Sequence, residues 1–197
     1  TISYHLLDIV QNALSAKADL VYIDTCDNQH NQIFSIAVRD NGRGMDQETL
    51  IKAIDPYFST RKQRSVGLGL SLLKQNTEMT GGHFALESHP GVGTSVYAGF
   101  VKSHIDCPAI GELVGTIYQI MISNTDRHFV YTHTHNGASF SVDTREITEV
   151  LDGVPLYHPE IRSYIREMIQ ENMNELYSTT DFGLFYRQDD QIGRAHV

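Results

Sequence analysis

Residues 39–45 read Arg39-Asp40-Asn41-Gly42-Arg43-Gly44-Met45, and they end an apolar, β-branched run that begins at Gln32. Glycine lacks a Cβ, so it permits positive φ angles and a close approach of the backbone to a ligand. An aspartate at the end of a strand can accept a hydrogen bond from an amino group of a ligand. The stretch therefore predicts a strand that ends in a tight, open loop. The loop is either a binding site or an ordinary turn, because Asp-Asn-Gly is also common in turns.

Upstream of this stretch, the apolar residues between Tyr4 and Ala18 recur at helical spacing. Asp8 and Asn12 are four residues apart, which places a carboxylate and an amide on the same helix face. An amide oxygen is a hard donor suited to Mg²⁺, and a carboxylate beside it can orient water or accept a proton. The pair fits a ligand site, and it also fits a solvated helix face.

Downstream, residues 65–72 read Ser-Val-Gly-Leu-Gly-Leu-Ser-Leu, so two glycines lead directly into a second helix. Free backbone N–H groups and the positive end of a helix dipole attract anions. Arg61, Lys62 and Arg64 precede the segment and can neutralise the charge of a phosphate. The segment predicts an anion site, although it matches neither the Rossmann nor the P-loop pattern.

The other strand and helix patterns indicate an α+β fold. Two strands flank a polar loop at about 27–31, and a hairpin surrounds residues 90–93. After Val101 the pattern changes to a helix, a hairpin around Asn136-Gly137 and two further helices, the last from Pro159 to Tyr177.

These patterns predict three parts of the chain. Residues 1–101 would form one domain, residues 102–178 a small α/β domain of a helix, a β-hairpin and two helices, and residues 179–197 a disordered or irregular tail. Within the second part, His133 and His135 share one face of a strand. The two side chains could bind a metal ion, but we interpret that strand as a surface strand.

Composition limits the classes of partner. The 197 residues carry a formal net charge of −9 and no Lys/Arg-rich run of five or more, so nucleic acid is not expected as a partner. No apolar stretch reaches the length of a membrane span, and the two cysteines do not suggest a disulfide framework. We therefore expect a soluble, cytoplasmic protein without membrane contacts.

The order and spacing of the three blocks resemble the GHKL superfamily, which includes histidine kinases, gyrase-type and mismatch-repair ATPases and heat-shock chaperones. Residues 7–13 resemble its N box, residues 40–44 its G1 box and residues 67–70 its G2 box. Residues 55–58 resemble the F box. Gly81-Gly82, Ser88 and the stretch Gly91-Val92-Gly93-Thr94 follow in the order that histidine kinases use. The resemblance covers residues 1–101.

The resemblance implies a two-layer α/β sandwich of the histidine-kinase-like ATPase (Bergerat) type, with helices over one face of a mixed sheet. It implies an ATP site with Mg²⁺ and a mobile lid at about residues 45–66. Asp40 would accept the adenine amino group, Asn12 would ligate Mg²⁺ and Asp8 would be the catalytic base. The other implied ATP-binding positions are four glycines that shape the pocket, a threonine at the adenine and two cations for the terminal phosphate: Gly42, Gly44, Gly67, Gly69, Thr94, Arg61 and Lys62.

Two features depart from histidine kinases. Their phosphoacceptor histidine lies on a separate dimerisation helix pair upstream. Because this sequence begins inside the N box, we expect the chain to lack that domain. Members of the superfamily that hydrolyse ATP, and its serine kinases, have a carboxylate at the position of Asp8. That carboxylate is usually glutamate, and aspartate is one methylene shorter.

Two functions fit these features. In the first, the chain hydrolyses ATP or phosphorylates a protein in trans, in a signalling or regulatory role, and residues 102–178 recognise the protein partner. In the second, the chain is a non-catalytic module in which ATP orders the lid and so controls a partner surface. A degenerate fold that no longer binds nucleotide is a third possibility.

Overall fold

A computed structural model describes residues 1–55, 57 and 69–192 of the chain, with residues 182–192 described as backbone only. In this part of the chain, none of the helices has an apolar stretch of the length needed to span a bilayer. The helices and strands, in chain order, are α1 (Ile2–Ser15), β1 (Leu20–Asn28), β2 (Ile33–Asp40), α2 (Gln47–Ile54), α3 (Gly69–Met79), β3 (His83–His89), β4 (Gly93–Val101), α4 (Leu113–Ser123), β5 (His128–His135), β6 (Ala138–Asp143), α5 (Thr144–Val150) and α6 (Pro159–Ile192).

The strands of the described residues form one mixed sheet in the order β3-β4-β2-β1-β5-β6. β1 lies near its centre, antiparallel to β2 and parallel to β5. The two outer pairs are hairpins, β3–β4 and β5–β6. The turn of the second hairpin contains Asn136 and Gly137 with φ angles of 48° and 90°, as their sequence predicts.

The core lies between one face of this sheet and the helices. Val21 and Ile23 of β1 are buried, whereas Tyr22 between them is on the opposite face and partly exposed. On that open face the guanidinium group of Arg39 lies 5.0 Å from the centre of the Tyr22 ring. Buried side chains of α1, α3, α4 and α6 all belong to the same apolar cluster as β1. The predicted arrangement of helices over one face of a mixed sheet is therefore confirmed.

The structure differs from the sequence prediction at the expected domain boundary after Val101. β5 pairs with β1 from Leu20 opposite His128 to Asp27 opposite His135. Phe129 of β5 belongs to the same buried cluster as the first half of the chain. Residues 102–178 therefore extend the first sheet and core, and they do not form a separate small domain. Local sequence patterns could not show this pairing, because it joins segments that are distant in the chain.

The last helix also differs from its prediction. α6 extends to Ile192, whereas the sequence pattern ended it at Tyr177 and made residues 179–197 irregular. Among the side chains that the structure describes, Leu176 is the last buried apolar one of α6, and polar contacts hold the following turn. The hydroxyl group of Tyr177 donates to Asp27 Oδ2 (3.0 Å), and Nε2 of His135 lies 3.0 Å from Asp181 Oδ1. Residues 193–197 lie outside the described residues.

The surface-strand interpretation of β5 is wrong. His133 and His135 are fully buried, because their face of β5 is the one that α6 covers. The ring of Tyr177 stacks on His135 with ring centroids 3.8 Å apart, and Thr25 Oγ1 lies 2.7 Å from His133 Nδ1. Burial lowers the pKa of His133 to about 4.

Candidate functional site

A pocket of about 470 Å³ opens where the ends of β2 and β4 meet α1. Pockets for small molecules commonly have volumes of about 300–1,000 Å³. Four of the predicted ATP-binding residues line it: Asn12 from α1, Asp40 from the end of β2, Gly44 from the following loop and Thr94 from β4. Residues from blocks that are far apart in the sequence thus share one pocket. Apolar or small side chains complete much of its wall, among them Ile9, Ala13, Met45, Leu70 and Val96.

The carboxyl group of Asp40 is oriented by two backbone groups. The N–H of Gly42 donates to Asp40 Oδ1 (2.8 Å), and the N–H of Thr94 also donates to this carboxyl. Partial burial raises the pKa of Asp40 above its ordinary value, although the two hydrogen bonds work in the opposite direction. Carboxylate oxygens can accept further hydrogen bonds, so Asp40 can bind an amino group that enters the pocket.

The loop after Asp40 needs glycine at two positions. Gly44 has a φ of 68°, and a Cβ on it would lie 2.0 Å from the carbonyl oxygen of His89. A Cβ on Gly42 would lie 2.8 Å from both Ala16 Cβ and Asp40 Oδ1. Glycine therefore lets the loop pass between the end of α1 and the β3–β4 turn. Gly42 itself is buried beside the pocket and is not one of its lining residues.

Asn12 and Asp8 lie one turn apart on α1 but have different surroundings. The Asn12 amide lines the pocket and has no hydrogen-bond partner among the described residues. Asp8 is exposed and lies outside the pocket lining. A Cβ on Gly69, the first residue of α3, would lie 3.5 Å from Asp8 Oδ2. Leu70, the next residue of α3, lines the pocket. Asp8 therefore lies near the edge of the pocket that α3 forms.

Ser88 joins the β3–β4 hairpin to the loop over the pocket. Its Oγ accepts from the backbone N–H of Met45 (2.8 Å) and lies 2.8 Å from Thr94 Oγ1. It also donates to the carbonyl oxygen of Gly93 (3.2 Å). The sequence places Ser88 in the order of motifs, but it gives no role to this hydroxyl group.

Arg43 and Asp46 line the pocket without having been predicted to do so. Arg43 provides the only Lys or Arg side chain among the described lining residues, and a guanidinium group is suited to phosphate. Asp46 caps α2 by accepting from the N–H of Thr49 (2.8 Å). The position of Arg43 between Gly42 and Gly44 was the one available sequence signal for its place at the pocket.

Several predicted positions lie outside the described residues: Arg61, Lys62, Gly67, and the part of the lid at residues 56 and 58–66. For Mg²⁺, the amide of Asn12 is a suitable oxygen donor, because it has no partner in the described part of the chain and Mg²⁺ takes few protein ligands together with phosphate and water. Within the described ranges, no group of three or more His, Cys, Asp or Glu side chains could hold a metal ion.

Comparison with solved structures finds the ATPase domain of MutL from Aquifex aeolicus complexed with ADP. It is 15% identical with a TM-score of 0.45, over 77% of this chain and 69% of that chain. Among characterised proteins, a putative sensor protein of Shewanella frigidimarina is 31% identical over 105 residues, which are 51% of this chain and 16% of that protein. The alginate biosynthesis sensor protein KinB of Pseudomonas aeruginosa is 31% identical over 91 residues, which are 46% of this chain and 15% of KinB.

The chain thus spans less than a fifth of the length of these sensor proteins, at 16% and 15%. A match to a whole family is also found. Residues 2–104 match the family described as histidine kinase-, DNA gyrase B-, and HSP90-like ATPase. This segment contains α1, the β2 loop and β4, which build the pocket. The chain therefore belongs to the histidine kinase-, DNA gyrase B- and HSP90-like ATPase family.

Proposed function

We propose that the chain binds ATP with Mg²⁺ in this pocket and either hydrolyses it or transfers its γ-phosphate to a protein in trans. The observation that carries the proposal is the pocket itself, which combines the oriented carboxyl of Asp40, the amide of Asn12 and the glycine loop at Gly44. Membership of an ATPase family supports the same ligand.

The pocket residues divide into two groups by their chemistry. Asp40 accepts a hydrogen bond from the amino group of adenine, and the hydroxyl group of Thr94 lies beside it. The apolar wall of the pocket excludes water from the adenine ring. Asn12 and Arg43 act at the phosphates, since an amide oxygen suits Mg²⁺ and a guanidinium group suits a phosphate oxygen. Arg61 and Lys62, outside the described residues, are proposed for the terminal phosphate.

Asp8 is proposed as the general base. Its carboxylate accepts the proton of a water molecule or a protein hydroxyl group while the new O–P bond forms at the γ-phosphorus. The bond from that phosphorus to the β–γ bridging oxygen breaks, and ADP leaves. When bound, Mg²⁺ would neutralise part of the negative charge of the phosphates. The place of Asp8 beside the start of α3, one turn from Asn12, supports this role.

The test is the fate of phosphate from γ-labelled ATP with Mg²⁺. Asp8→Asn is expected to lower phosphate release or transfer by about 10²–10⁴-fold while ATP binding persists, because the base is lost and the pocket is kept. Asp40→Ala is expected to weaken ATP binding by about ten- to a hundredfold, because a hydrogen bond to a charged group is lost. Asp152→Asn, in an exposed loop away from the pocket, is the matched control. Unchanged turnover in Asp8→Asn would remove Asp8 from the mechanism.

A specific observation favours a second candidate, a non-catalytic module whose partner surface ATP controls. Asp8 is exposed and lies outside the pocket lining, and its side chain is shorter than glutamate. In this case ATP would protect the amides of α2 from hydrogen exchange, and labelled phosphate would stay on ATP. Turnover that depends on Asp8 would exclude this candidate.

The cellular setting is also part of the proposal. We propose a cytoplasmic signalling or regulatory role in which residues 102–178 contact a protein partner. Similarity to sensor proteins and the net charge of −9, which disfavours nucleic acid, support it.

A further inference from the structure

A second concave surface lies at the β6 edge of the sheet, far from the pocket. This groove of about 230 Å³ runs between α5 and α6 and includes Ile147, Leu151 and Met168, which pack against the core. Val150 and Tyr164 also line it, and they are 84% and 56% exposed. Single exposed apolar side chains are common, but apolar side chains gathered around a concavity are typical of contact sites.

The charge of this α5–α6 groove has one sign. Asp143 and Glu146 line it, and no Lys or Arg is among its described lining residues. Burial opposes ionisation of Asp143, but hydrogen bonds from the N–H of Arg145 and from His128 hold its pKa below the ordinary value. Asp143 is therefore ionised at neutral pH.

The helix that forms one wall adds to this charge. Glu171 is exposed and follows Tyr164 and Met168 on the same face of α6. Arg166, in contrast, lies with its guanidinium carbon 5.8 Å from the centre of the Tyr118 ring, on the side of α6 that faces α4. The groove therefore presents an apolar floor with an acidic rim.

We propose that the α5–α6 groove binds a basic, amphipathic protein helix that inserts one large apolar side chain between Val150 and Tyr164. Apolar grooves between helices commonly hold amphipathic helices through such anchors. The acidic rim selects Lys or Arg beside the anchor. A second copy of this chain is disfavoured as the occupant, because it has the same acidic groove and a net charge of −9. Anionic lipids and nucleic acids are disfavoured because the acidic rim repels them.

The location of the groove permits binding at the same time as nucleotide. The pocket lies at β2 and β4, the groove lies at β6, and β1 and β5 separate them in the sheet. The described lining residues of the two sites are all different. The inference deepens the proposed partner contact of residues 102–178 and rests on that part of the proposed function.

The test is a selection of phage-displayed, randomised helical peptides on the full chain. The selected peptides are then synthesised, and their affinities are measured by fluorescence anisotropy. We expect one large apolar residue flanked by Lys or Arg, and binding that weakens as salt is added. Val150→Ser should weaken binding by at least about tenfold, because it removes the apolar contact without adding a charge that would attract a basic peptide. Glu146→Lys should weaken it as well.

Ile105→Ser is the matched control, because Ile105 is 94% exposed and lies outside the groove. It should bind the selected peptides like the unchanged chain. The inference would be overturned if the selected peptides lacked basic residues, or if none of them depended on Val150 for binding. A dimer of the chain, seen by sedimentation, that Val150→Ser dissociates would also overturn it. ATP affinity is measured on the same samples, so a failure of nucleotide binding is recognised separately.

Discussion

At the scale of the residue, the hydroxyl group of Ser88 connects three backbone segments around the pocket. It accepts from the N–H of Met45, donates to the carbonyl oxygen of Gly93 and contacts the hydroxyl group of Thr94. The N–H of Thr94 in turn orients the carboxyl group of Asp40. A single side chain thus links the start of the loop over the pocket to the residue proposed to bind adenine.

Ser88→Ala is expected to weaken ATP binding by about three- to tenfold, because the N–H of Met45 loses its acceptor and the Thr94 hydroxyl group loses a partner. Calorimetric titration with ATP measures the change. Ser95→Ala on the same strand as Thr94 is the control, since Ser95 lines no part of the pocket. Equal affinities of the two variants would show that Ser88 does not position the pocket.

Some of the positions that the sequence singles out lie in short local motifs, and their roles in binding stay predictions. Asn12, Asp40, Gly44 and Thr94 are of this kind, and the structure places all four in one pocket. The contacts of Ser88 could not be predicted, because they exist only once the β3–β4 turn lies against residues 43–45. Gly91 N–H donates to the carbonyl oxygen of Arg43 there (2.7 Å).

At the scale of the element, α6 is fixed to the sheet by a buried polar group as well as by apolar packing. Asp27 of β1 is buried and pairs with Lys102 and with the hydroxyl group of Tyr177. His133 lies beside this group with its Nε2 buried and without a hydrogen-bond partner among the described residues. Protonation of this buried imidazole would place a charge where water cannot solvate it. The packing of β5 against α6 is therefore sensitive to low pH.

The free energy of unfolding is expected to fall as the pH is lowered from about 7 to about 4. The pKa of His133 is about 4 in the folded chain and about 6.5 when unfolded, so the unfolded state binds the proton more tightly between these values. The loss from this group is on the order of 3 kcal/mol and is complete at the lower pKa. Urea unfolding at several pH values measures it.

The matched comparison uses His133→Gln and His30→Gln. His30 is exposed in the loop between β1 and β2, so its replacement should leave the pH dependence as it is. His133→Gln should reduce the slope between pH 4 and 6.5, whatever its effect on stability at pH 7. Identical slopes in the two variants would assign the acid sensitivity to other groups.

At the scale of the whole molecule, the family segment and the rest of the chain share one sheet. The order of helices and strands could be predicted, because apolar periodicity and turn residues are local signals. The parallel pairing of β5 with β1 could not be predicted. The alternation of inward and outward side chains along β5 is the same in a separate hairpin and in a strand added to a distant sheet. The burial of His133 and His135 follows from that same pairing.

A fragment of residues 1–104 is expected to lose cooperative unfolding. Removing β5 and α4 uncovers β1 and takes away the carbonyl groups of Ala109 and Ile110, which accept from Ile2 and Ser3 at the start of α1. Thermal unfolding by circular dichroism and binding of a hydrophobic dye measure the effect. A chain cut after Asp181 retains these contacts and should unfold cooperatively. A sharp transition in the shorter fragment would show that its core is self-sufficient.

The central place of β1 also matters while the chain is being synthesised. β2 follows β1 within a few residues, but β5 leaves the ribosome much later. During that interval the other edge of β1 stays open, and an open edge can pair with a neighbouring chain. Nascent chains are therefore expected to be vulnerable to misassembly until β5 docks on β1.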